Sequence, residues 1–247
     1  MLGVVGSLSL DFVGGGLPRP GGAVLYAARA LAALGVPAKI LAKAAPNHRV
    51  ELPGAHVEWL PAFTTTAFSF TYDGDARTMT VLEVGDPWGP EDVEGRLAGV
   101  EWLHVGGLLR SDFPADTIAA LARGRRLSLD GQGLVRAGRV GPLRLDGDID
   151  PAILEAAQIL TLSEEEAAVL GEVEVPEVVI TLGSHGSIVR AQGEEHRIEI
   201  EPVPSVDPTG AGDAFAAGYL AARSTGSEPL GAARSASDLV SELLSGG

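Results

Sequence analysis

The stretch Asp207-Pro208-Thr209-Gly210-Ala211-Gly212-Asp213 has residue types in an order that could carry out chemistry. Its glycines permit a tight turn that leaves backbone N–H groups uncovered, and the apolar run Ala214–Ala222 predicts a helix directly behind it. A helix start adds unpaired N–H groups and the positive end of the helix dipole. Thr209, Gly210, Ala211 and Gly212 therefore predict a site for an anion, most naturally a phosphate. Asp213 would repel that phosphate unless it has a task there. Accepting a proton from a hydroxyl that attacks the phosphorus is a task that fits. The plainer reading is a pair of ordinary turns followed by an acidic residue that favours the dipole. The ordered combination speaks for the chemical reading.

Other polar residues fall where predicted strands end, the side on which open α/β sheets bind ligands. Asp11 follows the short buried strand expected over Leu2–Val5 and reads either as a crevice residue or as a turn residue. Gln132 and Arg136 follow a strand expected at Leu127–Asp130 and read as pocket residues or as an exposed loop. Ser163 and Glu166 form a capping box ahead of an apolar helix. Thr181, Gly183 and Gly186 lie between two strands and by themselves describe only a hairpin. Gly21-Gly22 opens a predicted helix that carries Tyr26 and ends at Leu34, with Gly35 as its capping residue. His104 sits inside an apolar run and reads as a core or wall residue. The five histidines never fall in a metal-ligand spacing, so no protein-bound zinc is expected. No Gly-Lys-Ser/Thr follows the glycines, which excludes a Walker A loop, and no Gly-x-Gly-x-x-Gly fingerprint occurs.

The motif Asp-x-Thr-Gly-Ala-Gly-Asp resembles the C-terminal signature of the ribokinase-like, or PfkB, family of carbohydrate and nucleoside kinases, with Pro208 at the free position. The segment from Gly21-Gly22 to Leu34-Gly35 resembles the family's N-terminal signature. The resemblance implies an α/β fold: a three-layer α/β/α domain with a mostly parallel central sheet and a small β-lid. It implies ATP and Mg²⁺ as cofactors and leaves open a monovalent cation. Asp213 would be the base, with the N–H groups of Gly210, Ala211 and Gly212 as the anion hole. Asp11, with Gly21 and Gly22, would bind substrate hydroxyls. Thr181, Gly183 and Gly186 would form the nucleotide turn, and Glu166 would organise Mg²⁺ through water. Three places depart from the family pattern. Tyr26 stands where members carry a sugar-contacting Asn, Ser163 replaces the Asn of Asn-x-x-Glu, and Ser235-Ala236-Ser237-Asp238 replaces an Asn-Ala-rich stretch near the adenine.

These elements need a frame to position them. The 247 residues, 45% of them apolar, suit a single domain spanning 1–247, with lid strands expected within 12–20 and 57–84. Thr64–Tyr72 and Thr78–Leu82 read as a hairpin across Asp73-Gly74, with Phe68, Phe70 and Tyr72 on one face. Such an aromatic face, if exposed, would seek a partner, which suggests a homodimer through the lid. The formal charge of −15 argues against nucleic acid and anionic membrane as partners. The absence of cysteine, of a basic leader and of a membrane-length apolar run leads to an expected cytoplasmic location. The expected function is ATP-dependent phosphorylation of a hydroxyl on a sugar or sugar-like polyol. The alternatives are a nucleoside kinase of the same family, or a non-catalytic sugar or nucleotide sensor, which the altered Tyr26 and Ser163 positions motivate.

Overall fold

A computed structural model describes residues 1–73, 76–201 and 208–246. Gly74 of the expected hairpin turn and Val206-Asp207 at the start of the Gly-rich stretch lie outside the described residues. In chain order the strands are β1 (Leu2–Ser7), β2 (Ser9–Val13), β3 (Arg19–Gly21), β4 (Ala38–Ala44), β5 (Ala55–Pro61), β6 (Thr66–Asp73) and β7 (Ala76–Glu83). They continue as β8 (Trp102–Gly106), β9 (Arg126–Asp130), β10 (Gly141–Pro142), β11 (Ala157–Ser163), β12 (Glu177–Thr181), β13 (Ser187–Ala191) and β14 (Glu194–Ile198). The helices are α1 (Ala23–Ala33), α2 (Pro90–Val93), α3 (Ala115–Ala122), α4 (Gln132–Val135), α5 (Pro151–Glu155), α6 (Glu164–Leu170), α7 (Ala211–Ser224) and α8 (Pro229–Ser245).

Short runs rich in Val, Ile, Leu and Ala, buried on both faces, make parallel strands that need helices on either side. They form a nine-stranded sheet in the order β14-β13-β12-β11-β9-β8-β1-β4-β5. Every pairing from β12 to β5 is parallel, and β13 and β14 add an antiparallel edge. Alternation sends Val4 and Ile40 to one core, shared with α1, α7 and α8. It sends Val5 and Leu41 to the other, with Ile118 of α3 and Ile153 of α5. The chain runs outward from β1 through β4 to β5, then returns to lay β8 on the other side of β1. That reversal opens a crevice beyond the C-terminal ends of β1 and β8, where such sheets take their ligands. No helix among the described residues is long and apolar enough to cross a membrane.

A second, five-stranded sheet has the order β10-β7-β6-β2-β3. It holds the 66–83 hairpin, as the β-former content suggests, and takes in β10 from beyond residue 140. Two expectations change. Val57–Leu60 belongs to β5, paired in parallel with β4 in the large sheet. Phe68 and Phe70 do not form an exposed face, because they are buried with Val81 against Leu108 and Leu109 of the same chain. The two leucines follow β8 directly, so the hydrophobic face of the small sheet closes on the frame that carries the crevice.

Candidate active site

The N-terminus of α7 is the centre of the site. Gly210 caps the helix in the left-handed region at φ 81°, ψ 0°. A Cβ there would lie 2.1 Å from Cδ1 of Tyr26, so the tyrosine ring rests directly on the turn. Two independent demands, positive φ and close approach, therefore select glycine. The Ala211 N–H donates to the Pro208 carbonyl at 3.1 Å, which removes it from the expected set of anion donors. The N–H groups of Gly212 and Asp213 have no such partner among the described residues. Gly212 is exposed, and nothing lies within 4 Å of where its Cβ would stand, so the turn has room for a ligand beside it. Phosphate oxygens suit that arrangement.

Asp213 occupies the first turn of α7, only partly exposed. Its Oδ1 accepts a hydrogen bond from Gln132 Nε2 at 2.9 Å. Burial, and then the charge of Asp130, push its carboxyl up to about 7, against the pull of Arg136, His104 and the Gln132 bond. A base that titrates near neutrality is matched to proton transfer at ordinary pH. Gln132 and Arg136 thus stand beside Asp213. They are held there by the one-turn helix α4 that starts where β9 stops.

Glu166 forms the expected capping box. Its N–H donates to Ser163 Oγ at 3.2 Å, and its Oε2 accepts from the Ser163 N–H at 2.9 Å, which completes the capping box. Its Oε1 lies 3.9 Å from Arg136 Nη2 at the mouth of the crevice. Burial raises its pKa, with Arg136 and the Ser163 bonds opposing. Among the described residues no three His, Asp or Glu side chains are grouped to hold a metal. A divalent ion here would rest on phosphate oxygens and water, with Glu166 in support, which is how Mg²⁺ is commonly held.

On the other side of the crevice, Asp11 is 8% exposed and accepts from Ser9 Oγ at 2.8 Å. β2 and β3 pair Ser9 with Gly21. A Cβ on Gly21 would lie 2.1 Å from Asp11 Oδ2, and one on Gly22 would lie 2.6 Å from the Ser7 carbonyl. The glycine pair is there so that α1 can start against the ends of β1 and β2. Tyr26 comes one turn later, so a single helix connects the Asp11 corner to Gly210. The ring is part of the support of the anion turn.

The hairpin expected to bind nucleotide is built partly for its own integrity. Thr181 Oγ1 donates to the Leu162 carbonyl at 3.1 Å, tying β12 to β11. Gly186 at φ 92° would place a Cβ 1.9 Å from the Ile198 carbonyl, so the approach of β14 requires it. Gly183, at φ 58°, has open space around it. On α8, Ala236 is fully buried and Ser237 is turned inward, with its hydroxyl donating to Ala233 O at 3.0 Å. Ala236 packs on α7, where a Gly218 Cβ would meet Leu239 at 2.8 Å.

The structure adds polar residues that motif reading passed over. His104 is fully buried, as its apolar surroundings suggested, but its Nε2 lies 3.2 Å from Asp130 Oδ2. The register sets His104 beside Ser128 and Asp130 beside Thr161. Polar residues at matching positions of successive apolar strands were the available signal. Lys43, also buried, bonds Asp92 at 2.6 Å and the Pro87 carbonyl at 2.8 Å beside the fully buried Trp88. The surface hollows near Lys39 and His56 and near Trp102 and Arg126 lie at the N-terminal ends of the strands, away from this chemistry.

Comparison with known proteins places the chain in a family. Residues 64–242 match the pfkB family carbohydrate kinase. The chain is 30% identical over 187 residues to an inositol 3-kinase of Oryza sativa subsp. japonica, covering 68% of this chain and 46% of that protein. It is 31% identical over 196 residues to a fructokinase of Salmonella typhimurium, covering 67% and 61%. The chain thus spans between about half and three-fifths of the length of these curated relatives. Among solved structures, a pyrophosphate-dependent kinase in the ribokinase family, complexed with a pyrophosphate analog and myo-inositol, superposes with a TM-score of 0.85. It shares 22% identity, and the match covers 99% of this chain and 95% of the other.

Proposed function

Since the chain belongs to the pfkB family of carbohydrate kinases, we propose that it transfers a phosphoryl group to a hydroxyl of a sugar or cyclic polyol. One observation carries the reading: Asp213, pushed up to about 7, stands one residue beyond exposed Gly212, whose N–H has no backbone partner among the described residues. A hydroxyl between that carboxylate and a phosphate seated on the turn would lose its proton to Asp213 as its oxygen approaches phosphorus. The N–H groups of Gly212 and Asp213 would hold the charge on the transferred oxygens. Gln132 orients the carboxylate, and Arg136 stands near enough to meet a phosphate. Asp11 would accept hydrogen bonds from other hydroxyls of the acceptor, with Gly21 and Gly22 giving it room. Mg²⁺, when bound, would neutralise the donor phosphates, supported by Glu166.

ATP is the donor in this reading, with Thr181, Gly183, Gly186 and Thr209 on its side of the crevice. A second donor, pyrophosphate, is favoured by one feature of α8. Within the stretch that replaces the family's Asn-Ala-rich segment, Ala236 and Ser237 are buried, and Ala236 backs on Gly218 of α7. The structural neighbour that works with pyrophosphate is also matched over nearly its whole length. Among acceptors, the inositol 3-kinase relative and the myo-inositol complex support a cyclic polyol, and the fructokinase relative supports a ketose. A cytoplasmic setting belongs to the same proposal. So does a small sheet that covers the acceptor, with self-association through its exposed Leu17 rather than through the buried phenylalanines.

The test is a matrix of donors and acceptors. Purified protein is incubated with Mg²⁺ and either ATP or pyrophosphate, against myo-inositol, fructose, ribose and nucleosides, and phosphorylated product is read by mass spectrometry. Product from a cyclic polyol or ketose is the expected result. Ligand binding in thermal shift without product in any cell of the matrix would instead favour the sensor.

A further inference from the structure

We infer that His104 is a positioning residue of the phosphoryl-transfer site, which pairs with Asp130 beneath α7 and so sets the charge that Asp213 meets. This rests on the kinase reading given above. The sheet face under α1, α7 and α8 carries Val4, Ile40 and Ile159, and its buried Glu177 is fully paired with Tyr219 and Arg223 of α7. His104, Ser128, Asp130 and Thr161 interrupt it on three adjacent strands, at registered positions that project to one side. All four are buried, His104 and Ser128 completely. His104 Nε2, Asp130 Oδ2 and Thr161 Oγ1 have no aligned hydrogen-bond partner. The imidazole and carboxylate atoms nevertheless lie 3.2 Å apart, so charge pairing describes them better than a formed hydrogen bond. The other ring nitrogen has only a long contact, 3.4 Å, to Ser128 Oγ. Sheets do not bury such atoms without cost, and removing the imidazole alone would leave the Asp130 carboxylate buried without its counter-charge.

What the pair accomplishes follows from the charges around α7. Asp213 faces Asp130 from β9, His104 from β8, and Arg136 and Gln132 from α4 and its end. Glu166 on α6 faces Asp130 and Arg136. Two of these carboxylates, Asp213 and Glu166, thus share one arginine, which lies 3.9 Å from Glu166. Asp130 is the neighbour that opposes ionisation of Asp213. A protonated His104 offsets it. Burial alone would lower the imidazole pKa, but the charge and proximity of Asp130, with a smaller pull from Asp213, carry it above its ordinary value. His104 is fully buried beneath α7 and is not expected to touch substrate.

The test compares the pH dependence of kcat/KM in wild type, His104→Gln and the double variant His104→Gln/Asp130→Asn. It adds an NMR titration of the His104 ring in unliganded wild type and Asp130→Asn. Loss of His104 leaves Asp130 uncompensated, so the acid limb should move upward by about one pH unit. Neutralising Asp130 as well should return it toward wild type. In NMR, His104 should titrate higher in wild type than in Asp130→Asn. An acid limb unmoved in folded His104→Gln, or a His104 titration indifferent to Asp130→Asn, overturns the inference. If His104→Gln does not fold, the NMR comparison decides. If wild type phosphorylates nothing, the kinase reading fails, and the NMR comparison still decides the pairing.

Discussion

At the scale of single residues, the carboxyls that burial has shifted upward carry the clearest consequences. Asp213 holds its proton up to about pH 7 in the folded chain but releases it near 4 when unfolded. Activity that needs the carboxylate should fall away below neutrality. Stability runs the opposite way: the folded state is favoured while the proton is bound, and that advantage is lost as pH rises from about 4 to 7. Asp213→Asn is therefore expected to lose about 10²- to 10⁴-fold in turnover. It should also gain on the order of 2 kcal/mol of stability at pH 8, a gain that shrinks toward pH 4, after allowance for the residue's partial exposure. Kinetics and urea melts at both pH values check the pair of effects, and equal stability at pH 8 would count against the burial argument. Asp112 offers a control away from the base. It is 1% exposed, its Oδ2 accepts the Leu108 N–H at 2.8 Å, and burial pushes it up to about 6. Wild type should lose on the order of 3 kcal/mol between about pH 4 and 6 through this group. Asp112→Asn keeps an acceptor for that N–H and should flatten this part of the stability profile, read by thermal melts across the range. The role of Asp213 could be read from its place in an ordered motif. Neither Asp112 nor the partner of His104 could, because burial and cross-strand register are properties of the folded sheet.

At the scale of elements, a helix start, a glycine turn and an aromatic ring form one mechanical unit. Tyr26 on α1 presses on Gly210 ahead of α7, and Glu177 on β12 fixes the far half of α7. Its Oε2 accepts from Tyr219 Oη at 2.9 Å and from Arg223 Nε at 2.9 Å. The anion turn is thereby held from both ends. Gly210→Ala must carry a left-handed non-glycine residue, at about 1–2 kcal/mol, and must also displace the Tyr26 ring. It should lower kcat/KM by about 10²-fold through a misplaced turn. Adding Tyr26→Ala removes the clash but not the φ cost, so the two changes should be non-additive in stability, with a coupling of about 0.5–3 kcal/mol. Strict additivity in a double-mutant cycle of chemical melts would show that the ring does not brace the turn. Sequence reading placed α1, α7 and α8 closely because their composition and caps are local signals. It assigned Val57–Leu60 to the lid because a short apolar strand does not say which sheet it joins, and only pairing with β4 decides that. It left Tyr26 as either part of a reshaped pocket or core, since nothing along the chain reveals that residue 26 meets residue 210.

At the scale of the whole molecule, the two sheets share the segments that form the site. β2 follows β1 after Leu8 alone and brings Asp11 with it into the small sheet. The same sheet sets Phe68, Phe70 and Val81 on Leu108 and Leu109, just past the strand that holds His104. Any displacement of the small sheet must therefore carry Asp11 toward or away from α7, while the nine-stranded frame stays put. A kinase gains from such a motion, since closing over the acceptor excludes water that would otherwise take the phosphoryl group. The apolar contact that joins the sheets is small beside the two main cores, so opening at that seam should cost less than opening the frame. Acceptor binding is accordingly expected to slow amide hydrogen exchange in β2, β6 and β7, several-fold or more. The already protected amides of β1, β8 and β9 should be little changed. Donor alone should protect the start of α7 without protecting β6 and β7. Exchange followed by mass spectrometry, with acceptor and donor added separately, distinguishes the cases. If acceptor protects only the frame and leaves β6 and β7 as they were, the small sheet is a fixed wall and Asp11 meets its hydroxyl without closure.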